Sequence, residues 1–405
     1  MIKVAAEKKN LIWVVLAVVL CIIGFYSYHY LQAYFETDEK EVKVGLILDG
    51  DESTPYSRNF MRAVESVIPE YGDRVSVMTR CNVHYDDAEE VLRELAGSGC
   101  NIIFTNSYGY QEYTKKVAAE YPGVQFCQAT GDNANTEPVL NNYHTFMGEI
   151  YEGRYVAGMI AGLKLTELIE SGIITEDEAY IGYVAAYPYP EVISGFTAFL
   201  LGARQTCPNA LMRVRYTYTW TGYMKEKEIA GMLIDEGCII ISQHSDTIGP
   251  AVMCENCKTD HPVFHVGYNQ DMIDVAPTTS LIGTRINWTP YISGAVRAVM
   301  NDRKIEEVVK GHVHGNDIGA GFERGWVEML ELNPAIAPEG GSQLIESTIE
   351  DLKMGRAHVY SGDYYGYDPE NPSDTMSLRI EYIENRDSSA PAFHYILRNV
   401  VIVEN

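Results

Sequence analysis

Apolar runs of strand length alternate with amphipathic helical stretches along most of this 405-residue chain. Strands that alternate with helices predict parallel sheets with helices on both faces. The alternation comes in two series, so the sequence predicts a two-lobed α/β protein with one sheet in each lobe. The predicted strands are 42–48, 75–79, 102–105, 124–129, 179–184, 211–218, 238–242, 263–267 and 281–286, and the predicted helices are 58–71, 86–97, 111–121, 191–206, 223–236, 246–254 and 289–301.

The same pattern divides the chain into four predicted segments. Residues 1–36 form an N-terminal segment and linker, and residues 37–170 form a first α/β lobe that is completed by return segments from about 300–360. Residues 171–300 form the second lobe. Residues 361–405 form a turn-rich C-terminal extension that ends in a closing strand.

Residues 11–26 are almost entirely apolar and follow Lys3, Lys8 and Lys9. This layout predicts a membrane-inserted segment whose basic side stays in the cytoplasm, with the rest of the chain outside. No small-residue cleavage site follows the apolar run, which favours a retained anchor over a cleaved signal. Cleavage, and lipidation at Cys21, stay open as alternatives.

The composition excludes several classes of function. The formal net charge is -25, so a nucleic-acid backbone would be repelled. The motifs of serine hydrolases, phosphate-binding loops, zinc proteases and dinucleotide-binding folds are absent. We therefore predict a protein that is not an enzyme and has no cofactor.

Cys254 and Cys257, with His261 and His265 after them, raise the question of a metal site. Their spacing is too tight for the common zinc patterns, and His265 falls in a predicted strand. We predict no metal, and a disulfide between the two cysteines stays open.

Aromatic residues stand beside hydrogen-bonding residues at the ends of many predicted strands. In an α/β lobe the carboxyl ends of the strands converge on one cleft. Aromatic faces next to Asp or Asn side chains suit a flat ligand with polar edges. The residues concerned are Asp49, Asp51, Tyr56, Asn59, Asn106, Ser107, Tyr108, Tyr110, Tyr187, Tyr189, Tyr218, Trp220, Gln243, His244, Ser245, Asp246, Tyr268, Asn269, Asp271, Asn287 and Trp288.

The chain resembles the basic membrane protein family, periplasmic-binding-protein-like receptors that serve ABC importers for purine nucleosides and related bases. Its matching segments run in order from about Lys43 to the C-terminus. The resemblance implies a type I periplasmic-binding-protein-like fold, with two lobes joined by hinge crossings and a ligand cleft between them. The segments are 104–110, 121–124, 129–131, 151–158, 181–191, 202–204, 243–247 and 267–271.

The resemblance also carries site residues over to this chain. The aromatic turn of the second lobe falls on Trp220, and the His-Thr-Asp of the family corresponds to His244-Ser-Asp246. Asn269 stands where nucleoside binders of the family have an acidic residue, so a base and a nucleoside both stay open as ligands. With the strand-end pattern, the predicted ligand-binding set is Asp51, Tyr56, Asn59, Tyr108, Trp220, His244, Asp246, Asn269, Asp271 and Trp288.

The resemblance implies an extracytoplasmic substrate-binding protein that delivers a purine-type ligand to an ABC permease. A membrane-tethered module that senses the ligand for a partner protein is the alternative. In both, the N-terminal segment holds the protein at the membrane.

Overall fold

The computed structural model describes residues 24–25 and 40–404. The predicted membrane segment and the lipidation site at Cys21 therefore lie outside the described residues, apart from Gly24 and Phe25. Within the described residues, no helix has both the length and the apolar character that a membrane crossing requires.

The described chain alternates strands and helices as the sequence predicts. The strands are β1 (Val42–Ile47), β2 (Val75–Arg80), β3 (Ile102–Thr105), β4 (Gln125–Ala129), β5 (Tyr143–Gly148), β6 (Tyr180–Ala185), β7 (Leu211–Tyr216), β8 (Ile240–His244), β9 (Phe264–Tyr268), β10 (Ser280–Ile286), β11 (His312–His314), β12 (Asp317–Ala320), β13 (Val327–Met329), β14 (Tyr365–Tyr367), β15 (Thr375–Ser377), β16 (Ile396–Leu397) and β17 (Val401–Glu404). The helices are α1 (Pro55–Tyr71), α2 (Ala88–Gly97), α3 (Gln111–Glu120), α4 (Ile150–Glu170), α5 (Pro190–Thr206), α6 (Tyr223–Asp235), α7 (Gly249–Asn256), α8 (Thr289–Met300), α9 (Ile305–Val308) and α10 (Gly341–Lys353).

Two seven-stranded sheets form the cores of the two lobes. The first has the order β11-β12-β5-β4-β3-β1-β2, and the second has the order β13-β10-β9-β8-β6-β7-β17. All neighbours are parallel except the edge pairs β11–β12 and β10–β13. Central strands such as β3 are buried at every residue, as expected for strands with helices on both faces. The predicted fold class is confirmed.

The chain passes between the lobes at three places. It leaves the first sheet after β5 and enters α4, returns after β10 into α8, and crosses again from β12 to β13. The crossings are close to the carboxyl ends of β5, β10 and β12. The carboxyl ends of the strands in each lobe therefore point towards the other lobe.

Helix α4 packs against α5 of the second lobe, although the predicted range 37–170 assigned it to the first. Glycines make this contact close. A Cβ at Gly158 would lie 2.0 Å from the Phe199 carbonyl oxygen, and a Cβ at Gly202 would lie 2.0 Å from that of Tyr155. Helix α8 packs against α1 of the first lobe, although the range 171–300 assigned it to the second.

Residues 360–404, the C-terminal segment, contact both lobes. Its last strand, β17, pairs in parallel with β7 at the edge of the second sheet. The Tyr360 hydroxyl lies 2.6 Å from Ser194 Oγ on α5, while the backbone N–H of Ser389 donates to the buried Asp317 of β12 at 2.5 Å. The segment therefore packs across the crossings between the lobes.

Candidate functional site

A narrow cleft lies between the lobes, and its walls come from residues that follow the carboxyl ends of strands in both sheets. The enclosed space is about 20 Å³, which is the room of a single water molecule, so a larger ligand requires the walls to move apart. The lining residues are Asp49, Tyr56, Asn106, Ser107, Tyr108 and Thr130 of the first lobe and Glu191, Trp220, Asp246 and Tyr268 of the second.

Asp49 and Asn106 form the floor of the first-lobe wall. The Asn106 side-chain amide donates to Asp49 Oδ1 at 3.0 Å, and the backbone N–H of Asp49 donates to Asn106 Oδ1 at 3.1 Å. The Tyr56 hydroxyl donates to the Asn106 carbonyl oxygen. Burial raises the pKa of Asp49, and the hydrogen bonds from Asn106, Ser107 and Ser57 oppose that shift. This wall presents a fixed carboxyl and an aromatic ring to the cleft.

On the second-lobe wall, the turn 245–247 after β8 is held by buried side chains. The Glu226 carboxylate accepts from Ser245 Oγ at 2.8 Å and from the Thr247 backbone N–H at 3.2 Å. Gln243 donates to the carbonyl oxygens of Ser245 and Thr247. Burial raises the pKa of Glu226 to about 7. The turn is therefore rigidly supported from behind.

Asp246 projects from this turn into the cleft. Its backbone N–H donates to the Trp220 carbonyl oxygen at 2.8 Å, and only 6% of the residue is exposed. Among the described residues, no donor forms a hydrogen bond with its carboxylate. Burial, and then the negative charges of Asp49, Glu226 and Glu191, raise its pKa well above the usual range.

Glu191 and His244 lie next to each other at the second-lobe wall. Glu191 occupies the first turn of α5, and its Oε1 lies 3.5 Å from His244 Nε2. The His244 ring packs on Tyr268 with 4.7 Å between the ring centres. Burial lowers the pKa of His244, which favours the neutral imidazole. His244 therefore lies behind Tyr268 and Glu191, which line the cleft.

Aromatic rings from both lobes meet at the mouth of the cleft. Tyr108 of the first lobe lies 6.2 Å, between ring centres, from Tyr189 of the second. Tyr187 stacks on Tyr189 at 5.0 Å and packs against Trp220 at 5.6 Å. Tyr108 and Trp220 thus offer ring faces from opposite lobes.

Three of the lining residues carry carboxyl groups: Asp49, Glu191 and Asp246. No lining residue is a lysine or an arginine. Such a wall accepts hydrogen bonds from N–H and O–H groups of a ligand. A phosphate group would bring further negative charge into a site of low dielectric, where like charges repel strongly. Such a cleft suits an uncharged or cationic molecule with donors at its edge.

Four of the ten predicted residues line the cleft: Tyr56, Tyr108, Trp220 and Asp246. His244 supports the wall from behind. Asn59 is buried elsewhere, where its side-chain amide donates to the Ile286 carbonyl oxygen at 2.7 Å and ties α1 to the end of β10. Trp288 is fully buried in the core of the first lobe, with Phe60 at 5.1 Å between ring centres.

Two predicted carboxylates stabilise turns instead of lining the cleft. Asp51 accepts from the Ser53 backbone N–H at 2.9 Å and from Asn82 Nδ2 at 2.9 Å. The Ser53 hydroxyl donates to it as well, at 2.6 Å, and this hydrogen bond, followed by those from Asn82 and the Ser53 N–H, lowers the pKa of Asp51 to about 2. Asp271 is exposed and accepts from the backbone N–H of Ile273 at 2.9 Å.

Asn269 follows Tyr268 at the end of β9 and is 2% exposed. Its φ of 64° lies in the left-handed region that asparagine tolerates better than most residues. The side-chain oxygen and nitrogen are both buried without a hydrogen-bond partner among the described residues. Asn269 follows the cleft residue Tyr268 directly in sequence but is not among the lining residues, and its role in ligand binding stays a prediction.

Several lining residues were outside the predicted set, although a signal for each is in the sequence. Asp49, Asn106, Ser107 and Tyr268 belong to the strand-end pattern. Thr130 follows β4, and Glu191 begins α5 after the turn that ends β6. Cys254 and Cys257 are both free thiols, so the disulfide alternative is not realised in the structure.

Comparison with known proteins gives concordant results. The family model described as ABC transporter substrate-binding protein PnrA-like matches residues 42–352. A purine-binding protein of Brucella abortus is 30% identical over 328 residues, which cover 80% of this chain and 84% of that protein. A Haloferax volcanii protein, named for glucose binding by an ABC transporter, is 31% identical over 299 residues, which cover 74% of this chain and 69% of that protein.

Among solved structures, a solute-binding protein of an ABC transporter system from Aeropyrum pernix has a TM-score of 0.61 at 16% identity. The alignment covers 78% of this chain and 92% of that structure. At this level of identity the similarity supports the two-lobed fold.

Proposed function

Because the chain belongs to the family of PnrA-like ABC transporter substrate-binding proteins, we propose that its cleft binds a purine nucleobase or nucleoside and that the loaded protein delivers this ligand to an ABC permease. Proteins of this family are substrate-binding proteins and not enzymes, and they work outside the cytoplasm. The observation that carries the proposal is a cleft with aromatic faces on both lobes and carboxyl groups between them.

The aromatic residues suit a flat heteroaromatic ring. Stacking of a base on an aromatic side chain contributes about 1–3 kcal/mol. Trp220 and Tyr108 approach from opposite lobes, so a purine held between them would contact both walls when the cleft closes. The carboxyl groups of Asp49, Glu191 and Asp246 would then accept hydrogen bonds from the ring edge or from ribose hydroxyls.

Closure is part of the proposed transport cycle. The space of about 20 Å³ holds no purine, so the ligand binds to a form in which the lobes are further apart. The three crossings are the natural hinge, because a few residues at the ends of β5, β10 and β12 connect the lobes. A permease that contacts both lobes would distinguish the closed, loaded form from the open one.

The N-terminal residues 1–36 complete the proposal. We assign to them the role of holding the protein at the outer side of the cytoplasmic membrane, next to the permease. This position keeps a released ligand close to the transporter.

A sugar is the competing ligand, because one relative is named for glucose binding. Aromatic faces and carboxylates also suit a pyranose, whose hydroxyl groups are donors. The sensing alternative concerns what happens after binding and shares the same ligand.

The test is a ligand panel on the full chain, purified in detergent. Ligands that bind the native state raise the melting temperature, by an amount that grows with concentration relative to Kd. We expect a shift with adenine, guanine or their nucleosides and none with glucose, galactose or amino acids. A shift with sugars alone would refute the purine assignment. Uptake of the labelled purine by cells, lost on deletion of the protein, separates transport from sensing.

A further inference from the structure

We propose that Asp246 selects among purines by accepting hydrogen bonds from N–H donors, so that the cleft prefers purines that carry an exocyclic amine to analogues that lack it. This inference rests on the proposed function, which names purines without distinguishing among them. It concerns a cleft side chain whose carboxyl group accepts no hydrogen bond among the described residues.

Hydrogen bonds from neighbouring residues hold the backbone on both sides of Asp246. Glu226 and Gln243 fix the backbone of the turn, and the Trp220 carbonyl oxygen accepts from the Asp246 backbone N–H. None of these contacts uses the Asp246 carboxylate. Because the side chain is 6% exposed and lines the cleft, its oxygens are directed to the space that a ligand would occupy.

Among the described residues that line the cleft, none is a lysine, an arginine or a histidine. Asp49 and Glu191 are the other carboxyl groups in the cleft, and burial lowers the pKa of the neighbouring His244, which favours its uncharged form. A buried carboxylate without a partner is unfavourable, and a donor from the ligand removes that cost. The ligand edge that fits is therefore one that carries N–H groups.

The edges of the purines differ in this respect. Guanine presents an amine and a ring N–H side by side, which matches the two oxygens of an ionised carboxylate. Hypoxanthine keeps the ring N–H and the oxo group of guanine but lacks the amine, so an ionised carboxylate receives one hydrogen bond from its edge instead of two. Hydrogen bonds to charged groups are about twice as strong as those between neutral groups.

The preference has a pH dependence with a defined sign. The titratable groups facing Asp246 are Asp49 from the loop after β1, Glu226 from α6 and Glu191 from α5, with Tyr56 and Tyr268 beyond them. Together with burial, the three carboxyl groups favour the protonated form of Asp246. A protonated carboxyl can donate to an oxo group, and an ionised one cannot. The preference for amines is therefore expected to increase as the pH rises.

Calorimetric titration of guanosine against inosine, and of 2,6-diaminopurine against hypoxanthine, tests the inference on the full chain. At pH 8.5 we expect the amino compound of each pair to bind at least about 10-fold more tightly, as one lost hydrogen bond to a charged group implies. At pH 6 the difference should be smaller. Equal affinities within each pair at pH 8.5 would overturn the inference and leave the purine receptor intact.

The variant Asp246→Asn removes the charge and keeps the shape. It should reduce the difference within each pair to less than about 3-fold, because the amide can donate to an oxo group. Asp271→Asn is the matched control, since Asp271 is exposed and outside the cleft, and it should leave the ratio unchanged. A ratio that persists in Asp246→Asn would assign selectivity to another residue. Failure of the wild-type chain to bind any purine would refute the proposed function itself.

Discussion

Glu152 offers a quantitative test of how burial changes the pKa of a carboxyl group and the pH dependence of stability. The residue lies in the first turn of α4, directly after the first crossing, and is 8% exposed. Its Oε2 accepts from the Phe322 backbone N–H at 2.7 Å. Burial, and then the neighbouring Glu149 charge, raise the pKa of Glu152 from 4.5 to about 8. The native state therefore binds a proton at neutral pH that the unfolded chain releases.

The sign of the pH dependence follows from this difference. A raised native pKa stabilises the fold below the unfolded pKa of 4.5, and the contribution is lost as the pH rises through about 8. The shift from 4.5 to about 8 corresponds to at most about 5 kcal/mol, at 1.36 kcal/mol per pKa unit. Glu152→Gln cannot ionise and keeps an oxygen for the Phe322 N–H.

Guanidinium unfolding of the wild type and of Glu152→Gln at pH 5.5, 7 and 8.5 measures the effect. Because the unfolded carboxyl ionises above pH 4.5, we expect an advantage for the variant of about 1 kcal/mol at pH 5.5, and we expect this advantage to grow to a few kcal/mol at pH 8.5. Glu331→Gln, at an exposed position, makes the same charge change and should not alter the pH profile. Parallel profiles for wild type and Glu152→Gln would show that Glu152 is ionised in the fold, contrary to the reasoning above.

Three further predictions follow from the site and the packing. Trp220→Ala should weaken purine binding by about 10- to 100-fold through loss of a stacking face, while the unliganded protein still unfolds cooperatively; unaltered affinity in calorimetry would remove Trp220 from the site. Adenosine monophosphate should give no thermal shift under conditions where adenosine gives one, because the cleft is lined by carboxyl groups; a comparable shift would contradict that repulsion. Gly158→Ala should lower the free energy of unfolding by about 3 kcal/mol or prevent folding, since the added Cβ meets the Phe199 carbonyl oxygen at 2.0 Å. Gly97 has open space around it, so Gly97→Ala should raise the free energy of unfolding or leave it unchanged.

The strand and helix pattern predicted most of the architecture, because buried parallel strands read as continuous apolar runs. The helix predicted at 191–206 is observed as α5, Pro190–Thr206, and the strand predicted at 42–48 as β1, Val42–Ile47. Helix α4 was not predicted. It is apolar on nearly all sides and rich in glycine, so it lacks the amphipathic spacing that marks a surface helix.

The lobe membership of α4 and α8 could not be read from the chain, because it depends on contacts far apart in sequence. The glycines of α4 fit only the backbone of α5, and no local pattern names that partner. Strands β12 and β13 give a second example, because they have only four and three residues and yet belong to different sheets. Sequence spacing predicts elements well and says little about which neighbour each one selects.

For the site, the strand-end pattern located the right loops and left the direction of each side chain undetermined. Trp288 and Trp220 both follow strands of the same lobe, yet one completes the core around Phe60 and the other lines the cleft. Asp51 and Asp49 are two residues apart, and the first stabilises its own turn while the second faces the cleft. These outcomes depend on how each loop turns after its strand, which periodicity does not encode.

The distribution of charge in the cleft links recognition to closure. Asp49 belongs to one lobe and Glu191 and Asp246 to the other, so closing an unliganded cleft brings like charges together in a space that admits little water. Repulsion and desolvation then oppose closure, and protonation relieves only part of that cost. A ligand with N–H or O–H donors offsets both the repulsion and the desolvation, because it supplies hydrogen-bond partners to carboxyl groups of the two lobes. Under the proposed function, the same three side chains that contact the ligand would therefore also make the closed form depend on its presence.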